Sequence, residues 1–259
     1  MQSLGRYAFL STIGNANMSA PDPLTQAVIL AGGEGTRLRP LTLTTPKPMI
    51  PIHGRPFLAY TLELLKSNGI DQIVMLVGYL HERIEEYFGD GKKIGISIRY
   101  AYCPVGTDTG TRLQSAYSLL QQTFLLLYGD NYWPLRIDEL THAYTQKNTR
   151  ALMTVYRNLD HSTKNNVLVD DQGFVVEYDR SRIKKNMNGV DIGFFILDKS
   201  ILRDLPKENF SFEEVILPKL IAERQLAGFV TDHKYYGLST PDRIPAIQEY
   251  FRSERAINL

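Results

Sequence analysis

The chain has 259 residues, enough to bury a large core as one α/β domain with or without a small appendage. A net charge of +1 with 22% charged residues leaves no basic surface that demands nucleic acid, and no apolar run reaches the length of a membrane span. The single cysteine, Cys103, excludes an internal disulfide and a cysteine-rich zinc site and suits a reducing cytoplasm.

The first residues carry one arginine and a weak apolar patch at Tyr7 to Leu10, without the long apolar core of a signal peptide. They are expected to form a poorly ordered extension, residues 1–23, ahead of a single domain over 24–259. Val28-Ile29-Leu30 reads as a buried first strand that stops at Gly32-Gly33-Glu34-Gly35-Thr36. Glycines at such a point allow positive φ and close approach of backbone N–H groups to a ligand, forming an anion trap. Arg37 stands beside the turn and Lys47 between Pro46 and Pro48; a planar donor fork and a point charge together suit a polyphosphate. Leu38 stands where a dinucleotide fingerprint needs its third Gly, and no Gly-Lys-Ser/Thr ends the turn as in a P-loop. Three glycines alone would equally suit an ordinary strand-to-loop turn with solvated charges.

After Pro56, Leu58, Leu62 and Leu65 at helical spacing predict a helix that Gly69 ends. Strands are expected over 73–77 and 96–100, with a short helix over 81–88 between them. Val105 to Leu113 is Gly/Thr-rich and leads into a predicted helix over 113–121. Its N–H groups suit a base edge or a phosphate, or simply cap the helix. A fourth strand, 124–128, ends in Gly129-Asp130-Asn131. A carboxylate there suits Mg²⁺, which takes one or two carboxylates and completes its shell with phosphates and water; a turn Asp that caps the next segment is the plainer reading. A helix over 138–147, a strand over 151–156 and a hairpin around Asp171-Gln172-Gly173 follow. Residues 189–195 read as a strand interrupted by Gly193, which marks close approach of a chain or ligand. Glu213 and Glu214 open an amphipathic helix, where the helix dipole alone accounts for acids. A last strand lies within 228–238 and a last helix over 243–252. Strands alternating with helices predict a Rossmann-like, doubly wound, mostly parallel mixed sheet. Ligands in such sheets bind beyond the carboxyl ends of the strands, where the glycine turn lies.

The run Gly32-Gly33-Glu34-Gly35-Thr36-Arg37-Leu38, with Pro40-Leu41-Thr42 and Pro46-Lys47-Pro48, resembles the signature of sugar-phosphate nucleotidyltransferases. The resemblance extends from about Gln26 to Phe251. It implies transfer of a nucleotidyl group from a nucleoside triphosphate to a sugar 1-phosphate, with Mg²⁺ and release of pyrophosphate. Those two small molecules are the implied partners; a homo-oligomer stays open. The nucleotide-binding part would span about 24–160 and a small β-rich sugar-binding part about 161–259.

By this resemblance Arg37, Lys47 and Asp130 carry catalysis, with Asp130 on the metal. Leu30, Gly32, Gly33, Gly35, Thr36, Thr109 and Gly110 bind the nucleotide; Arg180, Asp191, Gly193 and Glu213 bind the sugar phosphate. For the last group the residues themselves leave alternatives. Arg180 also suits a solvated cluster with Lys184 and Lys185, and Asp191 a buried carboxylate satisfied by backbone.

Two departures stand out. Where the family has Leu-Gly-Thr-x-Gly-x-Leu, this chain has Thr-Gly-Thr-Arg-Leu two residues further on, with Arg112 in place of a small residue. Cytidylyltransferases for glucose 1-phosphate carry a similar variant. Where many members have a metal-binding Asp before the last helix, this chain has Gly237, so a second carboxylate would come from Asp191 or Asp232 or be dispensed with. Ala151 to Asn158, Tyr178-Asp179-Arg180 and Val190-Asp191-Ile192-Gly193 look like a branch that includes D-glycero-D-manno-heptose 1-phosphate guanylyltransferases. The first expectation is therefore GTP with a heptose or mannose-type 1-phosphate. UTP, CTP or dTTP with a hexose 1-phosphate is the alternative, and a non-catalytic nucleotide-sugar-binding subunit is the reading of another class.

Overall fold

The computed structural model describes residues 23–257, so the expected N-terminal extension lies outside the described residues except for Pro23. β1 (Gln26–Leu30) is followed by α1 (Phe57–Ser67), β2 (Gln72–Val77), α2 (His81–Phe88) and β3 (Ser97–Tyr102). Then come α3 (Thr109–Ser115), β4 (Thr123–Tyr128), α4 (Ile137–Lys147) and β5 (Ala151–Tyr156). The hairpin β6 (Val167–Val169) and β7 (Val175–Tyr178) leads into the long strand β8 (Val190–Asp198). α5 (Leu217–Ala222), β9 (Leu226–Thr231) and α6 (Ile244–Ile257) complete the order.

Seven strands form one sheet in the order β9-β5-β8-β4-β1-β2-β3. All pairs are parallel except those of β8, which runs antiparallel to β4 and β5. Helices cover both faces, so the central strands are apolar on both sides rather than alternating apolar and polar. Leu125, Leu127 and Phe194 point into one core with Leu58, Leu62 and Trp133. Phe124, Leu126 and Phe195 point into the other with Leu113, Phe212 and Leu217. The strands contributed by the last third, β8 and β9, belong to this same sheet. The small β-rich region is the β6–β7 hairpin, fastened to β9 by the Gly228 N–H donating to the Gly173 carbonyl at 2.9 Å.

A third apolar cluster fixes the loop between β1 and α1. Leu38, Ile50 and Ile52 are buried against Phe57, Tyr60, Ile247 and Phe251, and the Tyr60 and Phe251 rings stack at 4.0 Å. α6 therefore clamps the loop that carries Arg37 and Lys47.

One boundary differs materially from the sequence expectation. The helix expected over 113–121 runs over Thr109–Ser115 and is followed by a separate 3-10 turn, Tyr117–Leu119. The Thr-Gly-Thr segment is thus the first turn of α3, not a loop ahead of it. The Phe210 carbonyl accepts from the N–H groups of Gly110 and Thr111 at 3.1 and 3.2 Å and anchors that turn. None of the described helices is long and apolar enough to cross a membrane.

Candidate active site

β1 ends at Leu30, where its neighbours also end, and the chain turns over the sheet edge. Ala31 N–H still donates to the Leu76 carbonyl at 3.0 Å, and Gly129 N–H to the Leu30 carbonyl at 3.0 Å. Gly35 has φ +64°, and a Cβ there would lie 3.1 Å from both Lys47 Cβ and Thr42 Cγ2. The Thr42 hydroxyl donates to the Gly35 carbonyl at 3.0 Å, so the turn and the Lys47 segment pack as one unit. Leu30, Gly32, Gly33, Gly35, Thr36, Arg37 and Lys47 line a cleft of about 430 Å³ together with residues 105–109, Tyr128 and Asp130. Arg37 is exposed there and makes no ion pair among the described residues.

The Lys47 ammonium is ion-paired with the Asp130 carboxylate, both largely shielded from solvent. Asp130 follows β4, so the pair sits where the glycine turn meets the end of the central strand. A second cavity of about 500 Å³ begins at this point and shares Arg37, Tyr128, Asp130 and Ser239 with the first. Arg180 and Arg182 from one loop and Arg243 from another line it, facing Asp191 and Glu213. Arg180 donates to the Ser211 hydroxyl at 3.1 Å and pairs with Glu214 at 2.6 Å, and Arg243 donates to the Ser162 carbonyl at 2.7 Å.

Gly193 is needed for geometry. Its φ is +76°, and a Cβ would lie 2.4 Å from the Tyr128 ring, so it makes the irregularity in β8 that turns Asp191 towards the cavity. The Asp191 carboxylate accepts from the Gly193 N–H at 2.7 Å and from the Tyr178 hydroxyl at 3.4 Å. Burial pushes this carboxyl up to about 7; the Gly193 N–H opposes the shift and the Glu213 charge adds to it. Burial acts on Glu213 in the same sense, but hydrogen bonds from Ser211, Tyr128 and Thr109 outweigh it and hold Glu213 below the ordinary range. The Tyr128 phenol is driven well up by burial and then by Glu213, so it stays protonated and donates to that carboxylate.

The cleft unites Leu30, Gly32, Gly33, Gly35, Thr36, Arg37, Lys47, Thr109 and Asp130, and the adjoining cavity unites Arg180, Asp191, Gly193 and Glu213. Gly110 is the exception among the expected nucleotide-binding residues. It is buried, its N–H is held by the Phe210 carbonyl, and a Cβ would lie 2.3 Å from the Phe210 ring. Its role is packing of α3. Thr109 reaches the cleft, but its hydroxyl donates to Glu213 at 2.7 Å and accepts from Phe212 N–H at 2.9 Å. Glu213 itself faces the cavity with both oxygens engaged by protein hydroxyls.

Arg182 and Arg243 escaped sequence reasoning because each is one charge among several in a polar segment; only the folding of their two loops brings them to one cavity. Among the described residues no three His, Cys, Asp or Glu side chains form a cage for a metal ion. Asp232 is paired with Arg157 at 2.7 Å and lines neither cavity, which removes it as a second carboxylate. At Gly237 the space for a side chain is filled: a Cβ would lie 2.7 Å from Asn131 Oδ1. The partly shielded carboxylate of Asp130, at the junction of two cation-lined cavities, fits an ion such as Mg²⁺ that takes most of its ligands from phosphates and water.

Residues 26–236 match the family model described as nucleotidyl transferase. The chain is 32% identical over 194 residues to the D-glycero-alpha-D-manno-heptose 1-phosphate guanylyltransferase of Campylobacter jejuni, covering 74% of this chain and 84% of that one. It is 31% identical over 214 residues to the UTP–glucose-1-phosphate uridylyltransferase of Synechocystis, covering 76% of this chain and 55% of the other. The fold is shared with HddC from Yersinia pseudotuberculosis, solved in complex with GMP-PN, at a TM-score of 0.74 and 24% identity over 88% of this chain and 100% of that chain.

Proposed function

Because this chain belongs to the nucleotidyl transferase family, we propose that its double cavity joins a nucleoside triphosphate to a sugar 1-phosphate and releases pyrophosphate. The observation that carries this reading is the junction: two cation-lined cavities share Arg37, Tyr128, Asp130 and Ser239. Phosphates entering from the two sides meet there. The glycine turn takes the triphosphate through backbone N–H groups, and Arg37 neutralises the leaving β- and γ-phosphates. Arg180, with Arg182 and Arg243 beside it, holds the phosphate of the incoming sugar; Asp191 accepts from sugar hydroxyls.

The sugar phosphate oxygen attacks the α-phosphorus in line, and the P–O bond to the pyrophosphate breaks as the new P–O bond forms. The attacking oxygen is already ionised, so no nucleophilic side chain or general base is required. Lys47 sits at the junction and balances charge that builds on the reacting phosphates. Catalysis is alignment plus electrostatic stabilisation, of which alignment supplies roughly 7–11 kcal/mol in favourable systems. Asp130 would hold Mg²⁺, which supplies additional neutralisation of the phosphate charge when bound. A cytoplasmic setting, in keeping with the free buried thiol of Cys103, is part of the proposal.

The first choice of substrates is GTP with a heptose or mannose-type 1-phosphate, supported by the similarity to the Campylobacter jejuni guanylyltransferase. The similarity to the Synechocystis uridylyltransferase supports UTP with a hexose 1-phosphate as the alternative. The lack of a carboxylate at Gly237, where many members of the family have a metal-binding Asp, favours a further reading, a subunit that binds nucleotide sugar without turnover. One experiment separates all three: pyrophosphate release with Mg²⁺ from ATP, GTP, CTP, UTP and dTTP against a panel of sugar 1-phosphates that includes the heptose. Release with one pair, lost in Asp130→Asn, is the expected result. A folded protein that binds nucleotide sugar yet releases no pyrophosphate with any pair would establish the binding subunit.

A further inference from the structure

Arg112 is a buried cation that the proposed reaction leaves without a task. Its side chain is almost fully buried and forms no ion pair among the described residues. Backbone carbonyls alone receive it: Nε donates to Thr107 at 2.8 Å, Nη1 to Val77 at 3.2 Å, and Nη2 to Gly32 at 3.2 Å and Pro104 at 3.3 Å. These carbonyls come from the last residue of β2 and from the segments after β1 and β3, three neighbouring strand ends. The guanidinium lies so close to the backbone that a Cβ on Gly32 would come within 2.0 Å of Nη1, and one on Gly78 within 2.7 Å. Burying a charge without a counter-charge is costly, and a ring of carbonyl dipoles offsets only part of that cost.

The Gly32–Gly33 peptide explains what the charge is for. Its carbonyl accepts from Tyr79 N–H at 3.2 Å as well as from Arg112. In a trans peptide the N–H points opposite to the carbonyl, so the Gly33 N–H points away from the guanidinium. Gly33 lines the nucleotide cleft, and its N–H donates to no protein acceptor among the described residues. A donor chain in which a cation polarises a carbonyl strengthens the N–H at the other end of the peptide.

We propose that Arg112 is a positioning residue that locks the three strand-end loops together and lends its positive charge, through the Gly32–Gly33 peptide, to a polyphosphate bound on the glycine turn. The inference rests on the nucleoside triphosphate reading above. It makes a demand that simple scaffolding does not: the contribution of Arg112 must grow with the negative charge of the ligand.

The test compares the wild type with Arg112→Lys, which keeps the charge, and Arg112→Gln, which keeps N–H donors without it. Binding of inorganic tripolyphosphate, pyrophosphate, the preferred nucleoside triphosphate and the uncharged nucleoside is measured by calorimetry, with circular dichroism to confirm folding. Arg112→Gln is expected to weaken the triphosphates on the order of tenfold, pyrophosphate less and the nucleoside hardly at all, while Arg112→Lys recovers most of the loss. In turnover, KM for the nucleoside triphosphate rises and KM for the sugar 1-phosphate does not. Equal losses for nucleoside and triphosphate, unchanged tripolyphosphate binding in Arg112→Gln, or two variants that both fail to fold would overturn the charge role and leave the transferase reading standing. A folded wild type that binds no triphosphate at all would overturn both.

Discussion

The nucleotide end of the cleft and the sugar end differ in what their walls are made of. The first is mainly the run Leu30 to Lys47, backbone with Arg37 and Lys47, held by the Gly35–Lys47 contact and clamped by α6, with residues 105–109, Arg112, Tyr128 and Asp130 closing it. The second is side chains drawn from Arg37, Asp130, Asn166, Tyr178, Arg180, Asp191, Glu213 and Arg243. A polyphosphate is the same in every nucleoside triphosphate, so a rigid local turn suffices to hold it. Sugars differ in their hydroxyls, and acceptors set in a hydrogen-bonded network can be exchanged without disturbing the turn.

If this division holds, substitutions at the two ends should fail in different ways. The largest effect is expected from Lys47→Ala at the junction: a fall in kcat of about 10²–10³ with an unchanged circular dichroism spectrum, by analogy with loss of one transition-state donor. Near-normal turnover would remove Lys47 from the chemistry. Arg37→Ala should come next, with kcat reduced on the order of a hundredfold and affinity for pyrophosphate lowered, which product inhibition reads directly. Arg180→Ala should raise KM for the sugar 1-phosphate by about tenfold and leave KM for the nucleotide alone. Equal effects on both KM values would break the comparison, because the two cavities would then not be separable.

The smallest effect is a pH dependence confined to the sugar end. The Asp191 carboxyl, pushed up to about 7 by burial, keeps a proton in the folded protein that an unfolded chain has released above about pH 4. Its contribution to stability is therefore greatest at low pH and is lost as pH rises through about 7. In catalysis the ionised form is the better acceptor, so KM for the sugar 1-phosphate should fall a few-fold from pH 6 to pH 8. Asp191→Asn should flatten both the KM profile and the melting-temperature profile across that range. A KM profile that persists in the variant would assign the titration to another group.

The legibility of the two ends follows the same division. The glycine turn, Arg37 and Lys47 lie within one short run with a recognisable order, and the alternation of apolar strands with helices gave away the doubly wound sheet. α2 and β5 carry the bounds read from their residues. Arg182 and Arg243 were not legible, since sixty residues separate them and each has charged neighbours along the chain. Gly110 misled because a Thr-Gly-Thr run suits a ligand loop and a helix turn equally; the Phe210 carbonyl and ring, a hundred residues away, decided for the helix.

The order of residues along this chain thus determined the strands, the helices and the phosphate-binding turn, because apolar periodicity and glycine conformation act over a few residues at a time. Tertiary structure alone decided that Arg180, Arg182 and Arg243 face one cavity, that Asn131 fills the space beside Gly237, and that Arg112 lies behind Gly32. Those outcomes depend on which strand ends are neighbours in the sheet. Long-range pairing sets that, and no local pattern encodes it.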